Sequence, residues 1–243
     1  KMLRAVRHAN VVSLLDVVKD DDAICMVMEL CVTDLERVAI TSEAQAKGFG
    51  AMMLEGLAFM HAHSALHRDI KPANLLISGL GVLKLADFGY ARYLADEGRR
   101  MSDQCCTLWY RPPELLYGAT EYGFGIDAWS AGCVLAEIGL RMPLFRGDSD
   151  SNQLAKIFQI LGPPDESTWP GVTSLRKYVK FSQVPAPGLR RYLTDGQLPI
   201  DFIDLILPLL HCDPKTRASC ADSLSSAYFQ NPPRPVAKRP LRS

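Results

Sequence analysis

Three short blocks of this sequence hold residues suited to chemistry: His67-Arg68-Asp69-Ile70-Lys71-Pro72-Ala73-Asn74, Asp87-Phe88-Gly89 and Pro112-Pro113-Glu114. A carboxylate such as Asp69 can orient a hydroxyl and accept its proton, and Lys71, two residues on, sets a positive charge beside it. Asn74 and Asp87 offer hard oxygen ligands of the kind magnesium takes when it bridges phosphates. Taken singly these residues carry little weight, because a lone aspartate in a loop is more often a turn or cap residue than a catalyst. Their order and setting are the signal: the first block follows a helical pattern, and the second comes just after a pair of short apolar runs.

In that order the blocks resemble the signature set of the eukaryotic protein kinases, and the resemblance extends to about Pro232. It implies an α+β, protein-kinase-like fold, mainly the helical C-terminal lobe with a remnant of the N-terminal lobe. It also implies transfer of the ATP gamma-phosphate, in which the protein orients a hydroxyl, holds phosphates and neutralises charge. By resemblance, Asp69 is the catalytic carboxylate and Lys71 contacts the transferring phosphate, as in serine/threonine kinases. Asn74 and Asp87 hold Mg2+. Met28 matches the gatekeeper, Glu29 to Cys31 the hinge that faces adenine, Asp34 the ribose contact and Leu76 the floor under the base. Leu3, Leu14, His67 and Phe88 fall on the family's apolar spine. Asp127 matches the carboxylate that ties down the catalytic loop, and Glu114 with Arg217 a buried ion pair.

The segment between Asp87 and Glu114 includes the run Thr107-Leu108-Trp109-Tyr110-Arg111, which resembles the cyclin-dependent kinases. Ser102 sits where those enzymes carry an activating phosphate, with Arg68 and Arg92 as its clamp. Cys106, Thr107 and Arg111 match the pocket that prefers proline after the phosphorylated Ser or Thr. The resemblance thus implies ATP and Mg2+ as cofactors, a cyclin or cyclin-like activator, and substrates with Ser/Thr-Pro sites. The adjacent Cys105 and Cys106 suggest a redox switch as an alternative, but nothing nearby in sequence gives a reason for a depressed thiol pKa.

These residues need elements to position them. Ser42 and Gln45 have capping-box spacing, and Phe49, Met52, Met53, Leu57 and Met60 follow on one face of a helix that ends near His63. Leu75-Leu76-Ile77 and Val82-Leu83-Lys84-Leu85 flank Ser78-Gly79-Leu80-Gly81, which predicts a hairpin. Residues 127–140 are apolar almost all round, the mark of a helix buried mid-domain. Ile24 to Met28, after the acidic turn Asp20-Asp21-Asp22, reads as a buried strand. Further helices are predicted at 151–161, 200–211 and 219–228. The expected division is 1–30 as the N-lobe remnant, 31–232 as the C-lobe, and 233–243 as a basic, proline-rich, disordered tail.

The chain has 243 residues, 48% of them apolar and 22% charged, enough for a substantial core. Lys plus Arg and Asp plus Glu stand equal at 27 each, so no bulk field draws in nucleic acid or an acidic membrane. No run reaches the ~18 apolar residues of a membrane helix. The seven cysteines form no C-x-x-C pair and read as reduced thiols of an intracellular protein, nuclear, cytoplasmic or both.

Two positions depart from the family pattern: Pro112 precedes Pro113-Glu114 where alanine is usual, and Tyr90 follows Asp-Phe-Gly where leucine is usual. Thr33-Asp34-Leu35-Glu36 and Gly147-Asp148-Ser149-Asp150 resemble the kinases that activate cyclin-dependent kinases. Met53 to Phe59 and Lys71 to Ser78 resemble the cell-cycle-related kinases linked to cilium length, and the group taken broadly includes both. The sequence carries no glycine-rich loop and no strand lysine to pair nucleotide phosphates, and Lys1 aligns within a helix. The expectation is therefore an N-terminally truncated kinase with little activity by itself; the alternative is a catalytically inactive, C-lobe-only binding module or pseudokinase fragment.

Overall fold

The computed structural model describes residues 7–19, 23–94, 101–182 and 185–235. The expected turn Asp20 to Asp22, the spine residue Leu3 and most of the expected tail lie outside them. β1 (Leu14–Lys19) and β2 (Ile24–Met28) pair antiparallel, with Leu14 opposite Met28 and Lys19 opposite Ile24. The β-branched and apolar run makes β2 a strand, but it is not the buried strand the sequence predicts. Every residue of β2 is exposed, Ile24 at 70% and Met26 at 58%, because β1 is the only described strand beside it and no described element covers its faces.

The hairpin forms as expected. β5 (Leu75–Ile77) pairs with β6 (Leu83–Leu85), and β3 (Thr33–Asp34) adds to the other side of β5. Gly81, at φ 74°, makes the reversal, with its N–H donating to the Ser78 carbonyl. β4 (Ala65–Leu66) and β7 (Arg92–Tyr93) pair across the catalytic loop, setting Arg92 opposite Leu66.

Helix α1 (Glu43–Ala62) begins at Ser42, whose hydroxyl accepts the Gln45 N–H, and is capped at its C-terminus by His63. Gln45 reaches back to the Thr41 N–H rather than to that of Ser42, so the reciprocal half of the box is displaced by one residue. Phe49, Met53, Leu57 and Met60 are buried as the spacing requires. Gly56 faces segment 10–12, and a Cβ there would lie 2.8 Å from the Asn10 carbonyl oxygen. That close approach lets Asn10 and Val12 bond Leu85, fastening the hairpin to the helix.

After the short helix α2 (Pro113–Leu116), α3 (Gly125–Leu140) runs through the centre of the domain. Ile126 to Ala136 are all buried, so a helix without a polar stripe finds apolar neighbours on every side. α4 (Asp150–Leu161) starts at the Ser149 cap and stops at Gly162. α5 (Leu189–Asp195) and α6 (Ile200–Ile206) follow, and the path of α6 continues as a 3₁₀ turn over Leu207–Leu210 around Pro208. The single helix predicted at 219–228 is instead two short ones, α7 (Cys220–Ser223) and α8 (Ala227–Gln230). Ser226 breaks the run by capping the second through the Tyr228 N–H. No helix among the described residues is long and apolar enough to cross a membrane.

Candidate active site

The catalytic loop hangs from α3. Asp127, in its first turn, is buried and accepts the backbone N–H groups of His67 (2.9 Å) and Arg68 (2.8 Å), and pairs with His61 Nε2 at 3.0 Å. Burial opposes its charge, but the His61 hydrogen bond and the nearby donors hold the carboxyl below its ordinary range. His67 is buried and its pKa is lowered by desolvation, so it is neutral. Its Nδ1 accepts the Asp69 N–H at 3.3 Å, which assigns the proton to Nε2, the atom that meets the Ala86 carbonyl at 2.9 Å. The Ala86 N–H in turn donates to the Asn74 carbonyl at 2.9 Å. Both backbone groups of Ala86 are thus committed to the catalytic loop, which sets Asp87 beside it.

At the centre, Asp69 is buried and its two carboxylate oxygens divide the work. Oδ1 accepts the Thr107 N–H (2.9 Å) and hydroxyl (2.8 Å), while Oδ2 meets Lys71 Nζ at 3.0 Å and the Asn74 amide at 2.9 Å. Lys71 also reaches the Thr107 hydroxyl at 2.9 Å. Desolvation would raise the Asp69 pKa, but bonds from Lys71 and Thr107 outweigh it and keep the carboxyl below its usual range. Asn74 gives its amide nitrogen to both the carbonyl and the carboxylate of Asp69, so its oxygen faces the other way. Asp87 is exposed, at φ 61°, and one of its oxygens takes the Gly89 N–H. An outward amide oxygen and an exposed carboxylate fit a magnesium ion that draws its other ligands from phosphate and water. Among the described residues no group of three or more His, Cys, Asp or Glu gathers into a metal cluster of its own.

The expected nucleotide contacts lie along one edge. The Glu29 N–H donates to the Ser13 carbonyl, and its side chain pairs with Lys84 at 2.9 Å, leaving the carbonyl as the group that can face a ligand. Met28 is 42% exposed, Cys31 and Leu76 are half-buried, and Leu76 sits between Asp34 and Lys84 in the sheet. Asp34 is buried and takes the Arg37 N–H at 3.0 Å, so it stabilises its own turn. Phe88 packs on His67 with ring centroids 5.2 Å apart, while Leu14 is only half-buried.

Among the residues expected to form the substrate pocket, Cys106 has φ 67° and its carbonyl accepts two bonds from Arg111, at 3.0 and 3.3 Å. Arg111 spends its remaining nitrogen on Asp150 at 3.0 Å. Glu114 and Arg217 form the buried fork, at 2.7 and 2.9 Å, and Arg217 also donates to the carbonyls of Gly125, His211 and Cys212. Arg68 does not touch the Ser102 hydroxyl. It donates to the Tyr90 carbonyl and to the Tyr122 hydroxyl, which donates on to the Ser102 carbonyl at 2.8 Å.

Several site residues were not legible in the sequence. His61, Tyr122 and Asp150 act on loops distant in sequence, and no local spacing marks them. Asp103 fastens the segment to Arg176 (2.8 Å) and Lys177 (2.7 Å), a contact across 70 or so residues. The expectation that Cys105 has no reason for a low pKa is corrected. The neighbouring Cys106 thiol, the Tyr122 hydroxyl and the charges of Arg68 and Arg111 bring it down to about 7 against the burial that opposes them.

A helix-supported catalytic loop, an adjoining Asp-Phe-Gly turn and a substrate-side platform define the protein kinase class, and the protein kinase domain family matches residues 1–229. The chain belongs to that family, and within it to the cyclin-dependent serine/threonine kinases. It is 43% identical over 239 residues to cyclin-dependent kinase 7 of Caenorhabditis elegans, covering 96% of this chain and 72% of that one. Against cyclin-dependent kinase 7 of Xenopus laevis the identity is 41%, with 97% and 68% covered. The solved CAK complex of Chaetomium thermophilum bound to ATP-gamma-S superposes with a TM-score of 0.91 at 36% identity, covering 98% of this chain and 79% of that one. The expectation of a truncated, mainly C-lobe piece draws no support from the family match, which runs along nearly the whole chain.

Proposed function

We propose that this site, with ATP and Mg2+, transfers the gamma-phosphate to a Ser or Thr that precedes proline, under the control of a cyclin or cyclin-like partner. The observation that carries the reading is the Asp69 carboxylate, held ionised between Lys71 and Thr107 with its plane fixed by Asn74. Asp69 takes or orients the hydroxyl proton, and Lys71, 3.0 Å away, offers its charge to the phosphoryl group as it moves. Asn74 and Asp87 would hold the magnesium ion, which would neutralise phosphate charge. Glu29, Cys31, Asp34 and Leu76 line the nucleoside edge, on either side of the division proposed near residue 30.

Proline preference is supported by Cys106. Its carbonyl is turned to Arg111, so a substrate residue following the phosphoacceptor finds no acceptor there for its N–H. Proline has no N–H to leave unsatisfied. Ser102 is the activating phosphosite. A phosphate there draws Arg68 from its Tyr122 contact, and Arg92, opposite Leu66, shares the load. The relatives named cyclin-dependent kinase 7, together with the CAK complex, support a cyclin-type activator, and with it a nuclear or cytoplasmic setting.

The test is phosphotransfer by the full-length protein with its cyclin partner to Ser-Pro, Ser-Ala and Tyr-Pro peptides, beside Asp69→Asn. Transfer to Ser-Pro alone, abolished by Asp69→Asn, is expected. Magnesium-dependent ATP binding without transfer would sink the enzyme reading and favour a binding module. Full activity of Ser102→Ala in that complex would sink the phosphosite.

A further inference from the structure

One pair of side chains has chemistry that phosphoryl transfer leaves unused. Cys105 and Cys106 are neighbours in the chain and both are buried. They sit in a small apolar cluster with Leu66, Leu115 and Ile126, apart from the main core. Cys105 Sγ is 3.4 Å from the Ser102 carbonyl and 3.5 Å from the Tyr122 hydroxyl, to which Arg68 donates at 2.9 Å. Arg111 holds the Cys106 carbonyl from the other side. One guanidinium is thus a single hydroxyl away from the Cys105 sulfur and another grips the backbone of Cys106.

We propose that Cys105 and Cys106 are a peroxide-sensitive pair that closes to a disulfide between neighbouring residues and thereby takes the Cys106 carbonyl off Arg111. The consequence for catalysis rests on the substrate-platform reading above. The Cys105 thiolate attacks one oxygen of hydrogen peroxide: an S–O bond forms, the O–O bond breaks, and the departing hydroxide takes up a proton to become water. Sulfur loses two electrons and peroxide gains them. The Cys106 sulfur then attacks the sulfenic acid, the S–O bond breaks, and the hydroxyl leaves as water with the Cys106 proton.

The two thiols are matched to these roles. Cys105 is brought down to about 7, chiefly by its neighbour Cys106 and helped by Tyr122, Arg68 and Arg111, which favours its thiolate as the attacking group. Cys106 is driven well above its ordinary value by its neighbour Cys105 and by burial, and serves as the resolving thiol. Burial pushes Cys133, Cys212 and Cys220 upward, which leaves them inert. A disulfide needs its sulfurs about 2.05 Å apart, and closing so small a ring resets the torsions around the intervening peptide. Cys106, at φ 67°, is the residue whose torsions aim the carbonyl at Arg111.

The intact protein is exposed to hydrogen peroxide, blocked with iodoacetamide and digested with trypsin and chymotrypsin, giving fragments within 101–109 that carry both cysteines and no other. The expected result is loss of both alkylation sites together, two hydrogens lighter, while Cys25 and Cys31 remain alkylated and dithiothreitol restores the pair. In Cys106→Ser, dimedone traps a sulfenic acid on Cys105. Cys105→Ser keeps its basal phosphotransfer and resists peroxide. Persistence of both thiols while Cys25 or Cys31 oxidises would overturn the proposal, as would equal reactivity in the urea-unfolded chain. A disulfide that forms without changing Ser-Pro phosphotransfer would leave the thiol chemistry standing and overturn its link to the substrate platform.

Discussion

Removing Arg217 tests the frame that holds the substrate segment. Its side chain is fully buried and that of Glu114 is 3% exposed, so solvent screening offers neither much relief. Arg217→Met fills similar volume but leaves the Glu114 carboxylate charged and unpaired, and strips donors from the carbonyls of Gly125, His211 and Cys212. Breaking one partner of a buried pair costs about 3–5 kcal/mol. For a domain of this size that corresponds to a fall in Tm of roughly 6–20 °C. The assay is urea unfolding followed by tryptophan fluorescence, since Trp129 lies under the guanidinium at 5.1 Å. Glu114→Gln added to Arg217→Met removes the orphan charge and should recover about half of the loss, because an amide is far cheaper to bury than a carboxylate. A loss below about 1 kcal/mol for Arg217→Met, or strictly additive effects in the double variant, would refute the reasoning.

Thr107→Val removes one hydroxyl bond to Asp69 and one to Lys71, and should lower kcat by roughly 10- to 100-fold, the value of a hydrogen bond to a charged group, with little change in KM for ATP. The Asp69 pKa lies below its ordinary value in the folded protein, so its stabilisation is present at neutral pH and is lost as pH falls through that lowered value; Thr107→Val raises it and should move the acid limb of the kcat profile to higher pH. Arg111→Lys cannot reproduce the fork that grips the Cys106 carbonyl and Asp150, and should cut the preference for Ser-Pro over Ser-Ala about tenfold in kcat/KM. Asp103→Asn should change global stability by less than about 1 kcal/mol, since Arg176 is 64% exposed, yet speed proteolysis within 101–106 by freeing the segment.

The sequence was most informative where periodicity and local contacts agree. Ser42, Phe49, Met53 and Leu57 predict a helix because they lie within a few turns of one another, and the hairpin is legible because Gly81 permits a reversal that its flanking runs require. β2 shows where this stops: Ile24 to Met28 specify a strand, but burial depends on what packs against it, and that information is not in those five residues. The split at Ser226 has a similar cause, for a serine inside a helical pattern can cap a new helix as readily as continue the old one. In the site, motif residues were legible by resemblance, whereas His61, Tyr122 and Asp150 were not, since each acts through a tertiary contact with no fixed spacing.

Backbone conformation is the part of the site that sequence hides most completely, and it ties the pieces together. Arg68, Asp87 and Cys106 all have left-handed φ values, at 69°, 61° and 67°, although none is glycine. Such a residue costs about 1–2 kcal/mol and persists only when its surroundings fix it. Each is fixed by a neighbour already assigned a role. Asp127 takes the Arg68 N–H, the Ala86 bonds to Asn74 and His67 lock the entry to Asp87, and Arg111 grips the Cys106 carbonyl. On the proposed function the three turns aim, in order, a clamp cation, a metal-facing carboxylate and a carbonyl turned away from substrate. Asp127, His67 and Arg111 are therefore positioning residues in a specific sense: each stabilises a strained backbone turn next to a group that the proposed function sets against substrate, nucleotide or metal. Loss of any one should relax a turn and misplace that group while leaving the side chain that does the chemistry intact.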